Sequence, residues 1–485
     1  MKVIHESSRQ KVRRSLFANV VNVILSTLTG VLIPKCLGAT QYGYWQMMAL
    51  FMTYLPYLHL GWVDGMFLRL GEKKEGQVDY PLLHSEFLWF CVYDILVSGI
   101  FFLCALASHH ADIRLVLACT AIECLVLLPR VYFQYVLQAT DKVGLYARNF
   151  VLERILISSC QIVMLALGKG DFLHIALCEI GGKAVVLLAI LSSGREVLQA
   201  PKVGMRQAWN SIGEDFYRGF KVTFATISGM LLLGIVQFSI EYTWPIETFG
   251  MVSFALVAPI CTVQFLYQVS VVLYHGELVE ELDQFLNQCS VVLYPLVVQS
   301  PHGMYGKLAH NSGLSTMKIT ALVGLFYFPL EALMQWFLPE YHQAIWYISC
   351  LLPVIFFESR TTPVLNTFLK ASHQESKLLS INVVMMVVSG WTTILTVLVR
   401  HDLTMVIFSI VFLLGIRMLL TEYMVWKHVR IINISDLCWL LVLAAASLVG
   451  YAVIDGLEGW LLYVAVFLAF VLANRKDLKQ AHLAG

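Results

Sequence analysis

The sequence predicts an all-α polytopic membrane protein of about 14 transmembrane helices, arranged as two six-helix bundles in a pseudo-twofold relation plus a C-terminal helix pair. Three observations carry this prediction. The 485 residues are 58% hydrophobic and only 13% charged, with a mean hydropathy of +0.73, which excludes an ordinary soluble domain. Apolar stretches of about 20 residues, the length that crosses a bilayer at a 1.5 Å rise per residue, recur along the whole chain. The basic residues are segregated: 24 of the 33 Lys and Arg fall on connectors sharing one side with both termini, and only Lys35, Arg114, Lys169 and Arg400 fall on the other. Positive charge marks the cytoplasmic side, so both termini are expected there, with outer connectors under about 15 residues.

The first hairpin sets the orientation of everything after it. Lys11, Arg13 and Arg14 precede an apolar run over 15–34, and a glycine-containing connector over 35–43 turns the chain. A second run over 44–63 returns to Asp64, Arg69, Lys73 and Lys74. The first run is too long for a signal-peptide core, so it is expected to remain as an anchor. Spans follow at 82–107, 114–139, 148–167 and 172–193, completing an N-terminal bundle over 1–200. The charged segment 194–218 contains the expected cytoplasmic linker, 201–218. The second bundle, 219–427, has spans at 219–240, 249–274, 318–338, 343–370, 377–399 and 403–426, and the additional pair in 428–485 spans 435–454 and 459–473. Within 274–317 the string at 288–294 nearly repeats that at 268–274, which suggests an interfacial helix or a span extension. A coarse repeat links the halves: Arg14, a helix and Tyr42-Gly43 are echoed by Arg218, a helix and Phe249-Gly250.

Two strings carry a family resemblance. Pro34-Lys35-Cys36-Leu37-Gly38-Ala39-Thr40-Gln41-Tyr42-Gly43-Tyr44-Trp45, then Leu60-Gly61-Trp62-Val63-Asp64-Gly65 with Arg69, resemble the first hairpin of bacterial polysaccharide (O-antigen type) flippases. Those belong to the multidrug/oligosaccharidyl-lipid/polysaccharide exporter superfamily. The residue match is confined to the first 75 positions, while the hydropathy layout fits the whole chain. The resemblance implies a transporter of the cytoplasmic membrane that moves a polyprenyl-pyrophosphate-linked oligosaccharide outward as two bundles rock around a cavity. Implied with it are membrane lipid around the cargo's tail, coupling to an H+ or Na+ gradient through a buried carboxylate, and a polysaccharide polymerase and export complex as partners.

Five cations lie inside the expected spans: Arg130, Arg154, Lys183, Arg360 and Arg417. Each costs about 2.5 to 3.5 kcal/mol at mid-depth unless something offsets it. Asp94, Glu123, Glu153, Glu179, Glu331 and Glu358 share their helices or neighbouring ones. Glu123 and Arg130 are seven apart on one face, and Glu179 and Lys183 four apart. One reading makes these charges mutual pairs that lock helices together. The other makes the five cations a binding surface for a phosphorylated cargo, with Lys183 and Arg360 foremost because they lie mid-span in different bundles. Arg360 also sits between Pro353 and Pro363, where a weakened helix frees backbone groups. Arg154 and Arg417 lie nearer the cytoplasm, where snorkelling competes. Asp94, Glu123, Glu179, Glu331 and Glu358 are the candidates for ion coupling, while Asp64 and Arg69 read as capping or interfacial residues.

Other chemistry finds little support. Gly181-Gly182-Lys183 lacks the spacing of a phosphate loop and lies in a span. No catalytic residue, metal site or cofactor is expected, the eleven cysteines have no ligand spacing, and a formal net charge of +1 suggests no nucleic-acid partner. Tryptophans at span ends read as an interfacial belt. Two alternatives remain in view: a multidrug-type cation antiporter of the same superfamily, and a membrane polysaccharide polymerase or glycosyltransferase. The second is disfavoured because the long polar segments all face the cytoplasm.

Overall fold

Gly38 decides how the chain begins. The computed structural model describes residues 2–71, 78–140, 142–257, 305–372, 374–429 and 434–475. Its first helical run, α1 (Lys2–Tyr54), is broken only at Gly38, whose φ of 71° is open to glycine at little steric cost. The expected nine-residue connector is therefore one residue, and helix resumes at once. The reason is packing: Leu37 and Tyr42 are buried, and small residues at 39 and 43 admit the backbone of α9 (Ile246–Val257) through Gly250.

The second expected span, 44–63, is also corrected. Helix ends at Tyr54 because Pro56 supplies no donor, and a 3-10 turn (Leu55–His59) leads through Leu60 (φ 52°) and Gly61 (φ 101°) into a separate helix, α2 (Trp62–Gly71). Four long helices follow as predicted, with small shifts at their ends: α3 (Tyr80–Ala107), α4 (Ala111–Ala139), α5 (Val143–Ala166) and α6 (Phe172–Ser193). On α3 the large exposed residues Leu96, Ile100 and Leu103 are apolar while Glu86, Asp94 and Ser98 are buried. That inversion of the soluble pattern suits a helix solvated by lipid.

After the short α7 (Arg195–Leu198), the polar segment becomes helix at Met205 and continues without a break as α8 (Met205–Thr243). Ala208, Ile212 and Asp215 fall on one helical face and are buried, which is why so polar a stretch stays helical. The chain forms two compact units, 1–227 with 246–250, and 228–245 with 251–485. The repeated strings 268–274 and 288–294, where an interfacial helix or a span extension is expected, lie outside the described residues, and the last part of 274–317 belongs to the helix that begins at Tyr305.

The second unit contains α10 (Tyr305–Phe337), α11 (His342–Arg360), α12 (Asn366–Ala371), α13 (Glu375–Thr393), α14 (Leu403–Val429), α15 (Ile434–Leu448) and α16 (Gly456–Ala473). Its centre is α11, buried at every position from 347 to 357. A π-helical stretch, Thr361–Leu365, joins α11 to α12, so the expected span 343–370 carries a widened turn beside Arg360. The C-terminal pair docks on α10: Tyr451 Oη donates to the Gly324 carbonyl at 2.7 Å, Trp460 Nε1 to Leu325 at 3.0 Å and Tyr463 Oη to Ala321 at 3.0 Å.

All regular structure among the described residues is helical, and nine of these helices are long and apolar enough to cross a membrane. With α1 counted on each side of Gly38 and α11–α12 as one run, α4 and α9 bring the helical segments to fourteen, α9 standing for the expected span 249–274, whose residues 258–274 lie outside the described residues.

Candidate functional site

The intramembrane charges gather into clusters, each assembled from several helices. In the first unit, α4 supplies Glu123 and Arg130, α5 Glu153, Arg154 and Gln161, and α6 Glu179 and Lys183. Lys183 Nζ bridges two carboxylates, 2.6 Å from Glu123 Oε1 and 2.9 Å from Glu179 Oε1, and lies 3.6 Å from Met52 Sδ of α1. Gln161 Nε2 donates to the other Glu179 oxygen at 3.4 Å. Arg130 Nε is 2.8 Å from Glu153 Oε2, and Arg154 Nε donates to Ser26 Oγ on α1 at 2.9 Å. Glu179 and Lys183 thus meet as the sequence predicted, but Glu123 pairs with Lys183 rather than serving Arg130 on its own face. Three cations stand against three carboxylates, and Glu123 Oε2 makes no hydrogen bond among the described residues.

A second cluster joins α2, α3 and α8. The Arg69 guanidinium donates to both oxygens of Asp215 at 2.8 Å and to Glu86 at 2.8 and 2.9 Å, and both carboxylates are fully buried. Burial works against the charge on Arg69, but Asp215 and Glu86 more than offset it and raise its pKa. Beside it Thr223 donates to Asp64. The elements can approach this closely because Gly61 and Gly65 face the α8 backbone at Gly219 and Asp215, where any added Cβ would collide. Asp64 and Arg69 are therefore structural centres of the first unit, which corrects the interfacial reading. The same string that carries the family resemblance builds this joint.

The second unit holds the remaining cations. Arg360 Nε and Nη2 donate to the two oxygens of Glu422 on α14 at 3.2 and 3.0 Å, a bidentate pair. Its Nη1 lies 4.0 Å from Asp436 Oδ2 of α15. His310 on α10 is hydrogen-bonded through Nδ1 to the same carboxylate. Arg417 Nη1 is 3.2 Å from Glu358 Oε1, and Glu358 also accepts from Thr362 at 2.9 Å.

Of the other coupling candidates, Asp94 accepts from the Cys124 thiol at 3.4 Å and Glu331 from Gln335 Nε2 at 3.4 Å, and no ion pair involves either among the described residues. Lys183 and Arg360 lie in different units, each already paired. Chemically, an incoming phosphate can take over a cation by displacing a carboxylate, and Arg360 presents a planar fork for such an exchange. Sequence reasoning passed over Glu86, Asp215, His310, Glu422 and Asp436. A carboxylate within or at the start of an apolar run, as at 86, 422 and 436, is the signal that could have found three of them.

No protein-family model matches the sequence, and no curated protein matches it. Solved structures share its fold. The lipid II flippase MurJ, in an inward closed conformation, is similar at a TM-score of 0.64 and 12% identity, over 96% of this chain and 99% of its own. Two structures of multidrug resistance MATE family transporters of the MOP superfamily, inward-facing and outward-facing, reach 0.53 and 0.51 at 12% identity. Each match covers 90% of this chain, and 95% and 96% of the respective transporter.

Proposed function

We propose that this protein flips a polyprenyl-pyrophosphate-linked oligosaccharide across the bacterial cytoplasmic membrane, driven by an H+ or Na+ gradient, for export of a cell-surface polysaccharide. The observation that carries the proposal is the whole-length fold likeness to a lipid flippase, which extends over more of this chain than the likeness to the drug transporters. The buried cations support the cargo's chemistry. A pyrophosphate crossing a low-dielectric interior needs charge-assisted partners; Arg130, Lys183, Arg360 and Arg417 are cations in spans where carboxylates hold their places, and Arg154 is held there by the Ser26 hydroxyl. The lipid tail would stay in the bilayer, and a polysaccharide polymerase and export complex would receive the flipped sugar.

Proteoliposomes loaded with a fluorescent undecaprenyl-pyrophosphate disaccharide test this. Protein-dependent exposure of the probe to a membrane-impermeant quencher is the expected result, and its absence rejects the reading. The fold shared with MATE transporters favours one alternative, a multidrug-type cation antiporter. Gradient-driven movement of an organic cation in the same vesicles, with the lipid probe immobile, would select it.

A further inference from the structure

We propose that the groove between the end of α8 and the π-helical stretch after α13 binds one glycerophospholipid, with an acyl ester inside the groove and the phosphate on Arg400. The site is separate from the buried charge clusters and does not depend on which cargo the protein moves.

Both walls of the groove belong to the second unit. Ser239, Tyr242 and Thr243 line one side, Thr393, Val397 and Leu398 the other, and the cavity between them is about 320 Å³. From Ile394 to Val399 the helix is π-helical, and its wider turns set Val397 and Leu398 into this wall. The groove opens on an apolar face: Tyr242 is 87% exposed, Leu398 69%, and Trp391 close by on α13 is exposed as well. In a bilayer that face meets lipid.

Two features set the groove apart from a plain lipid-facing wall. The first is an orphaned hydroxyl. Thr393 is only 4% exposed, yet its Oγ1 makes no hydrogen bond among the described residues. Its neighbours turn back onto their own helix, Thr392 donating to the Val388 and Ser389 carbonyls and Thr396 to that of Thr392. An unpaired buried hydroxyl is costly, so an acceptor belongs beside Thr393. The ester carbonyl of an acylglycerol supplies one. An isoprenoid chain carries no such group, which favours a phospholipid over a polyprenyl carrier.

The second feature is a cation at the mouth. Trp244, directly after α8, stacks on His401 with ring centroids 5.0 Å apart, which brings the connector after Leu398 over the end of the groove. His401 adopts φ 50°, a left-handed conformation uncommon outside glycine, in that stack. Arg400 stands exposed between Leu398 and His401, and its side chain makes no ion pair or hydrogen bond among the described residues. Neither acid close by in sequence lines the groove: Asp402 accepts from the Thr404 and Met405 amides at the start of α14, and Glu241 lies outside the lining. Seven residues at a 1.5 Å rise place Thr393 about 10 Å below Arg400, a span that the arginine arm and a glycerol backbone cover together. A phosphodiester can thus meet the guanidinium while the ester meets the hydroxyl.

Full-length protein, stripped of lipid in detergent and titrated with phosphatidylglycerol, provides the test, with bound lipid counted by native mass spectrometry. The wild type should hold one equivalent after collisional activation has removed all others. Arg400→Gln, on an exposed connector where the fold is not at stake, should weaken retention about tenfold, and Thr393→Val, which removes only the hydroxyl, about threefold. Diacylglycerol should not be retained, and undecaprenyl phosphate should not displace the phospholipid. No retained equivalent in the wild type, or retention unchanged by Arg400→Gln or by Thr393→Val, overturns the site. Retained diacylglycerol overturns the phosphate contact, and displacement by undecaprenyl phosphate overturns the choice of phospholipid. Phosphatidylglycerol with a diazirine in its acyl chain gives a second readout in proteoliposomes. Its label should concentrate on the peptides that hold Tyr242 and Leu398; even labelling of all lipid-facing helices means annular lipid only and overturns the proposal.

Discussion

Arg69 and Asp215 form a two-pronged ion pair at 2.8 Å across 146 residues of sequence, with Glu86 as third member. Removing one member leaves buried charge uncompensated, which costs about 3 to 5 kcal/mol. Arg69→Ala should therefore lower the thermal midpoint in detergent sharply. Arg69→Lys, which retains charge but not the fork, should fall between it and wild type. A midpoint unchanged by Arg69→Ala would show that this joint contributes nothing to the first unit.

The α2–α8 crossing tests backbone proximity separately from charge. Gly219→Val should destabilise by about 1 to 3 kcal/mol or more through overpacking, with every ion-pair member still present. Limited proteolysis near residue 61 would report the loosened crossing. Unaltered cleavage would count against such close packing.

Lys183 has two carboxylate partners, so the compensating experiment needs three changes. Lys183→Ala strands Glu123 and Glu179, and Lys183→Ala with Glu179→Ala still strands Glu123. Only Lys183→Met with Glu123→Gln and Glu179→Gln removes every charge of the trio. That triple variant is expected to fold and to flip no lipid probe. Restored flipping would remove Lys183 from cargo binding and leave it a purely structural partner.

A surface pair supplies the pH-dependent prediction. Hydrogen bonds from Lys142 and then Tyr80 hold the Glu196 carboxyl below its usual range. A lowered folded-state value means the stabilisation is present above the unfolded carboxylate pKa of about 4.3 and is lost as pH falls through the folded value. Both side chains are substantially exposed, 32% and 57%, so the effect sits at the low end of about 0.2 to 1 kcal/mol. The melting difference between wild type and Glu196→Gln should shrink as the pH is taken below 4. A difference that stays constant would contradict the pairing.

The spans were legible because lipid demands long contiguous apolar runs, a property of local sequence. Helix breaks were less so. Residues 35–43 carry turn composition, yet only Gly38 leaves the helix, because residues 39, 43 and 250 are small enough for two backbones to meet. Conversely, Pro56 ends a helix that hydropathy alone carried on to residue 63. The charged partners were the least legible part. Glu179 and Lys183 could be paired by spacing on one helix, but Arg69 with Asp215 and Arg360 with Glu422 are matched only by tertiary structure. Arg69 looked superficial because it stands beside the charged run Glu72-Lys73-Lys74-Glu75 and beyond the expected span 44–63.

The order of synthesis gives the arginine pairings one further consequence. At about 5 to 20 residues per second, Arg69 is synthesised about 7 to 30 seconds before Asp215, 146 residues later. Glu86, only 17 residues on, can shield it in the interval. Arg360 is likewise made before Glu422, 62 residues later. Lys183 is the opposite case, since Glu123 and Glu179 are both already translated when it emerges. The nascent first unit can therefore neutralise its deepest lysine on arrival, while its second arginine-centred joint waits for α8 to be drawn into place. A ribosome stalled before residue 215 should hold a chain with one joint closed and the other still open to the insertion machinery.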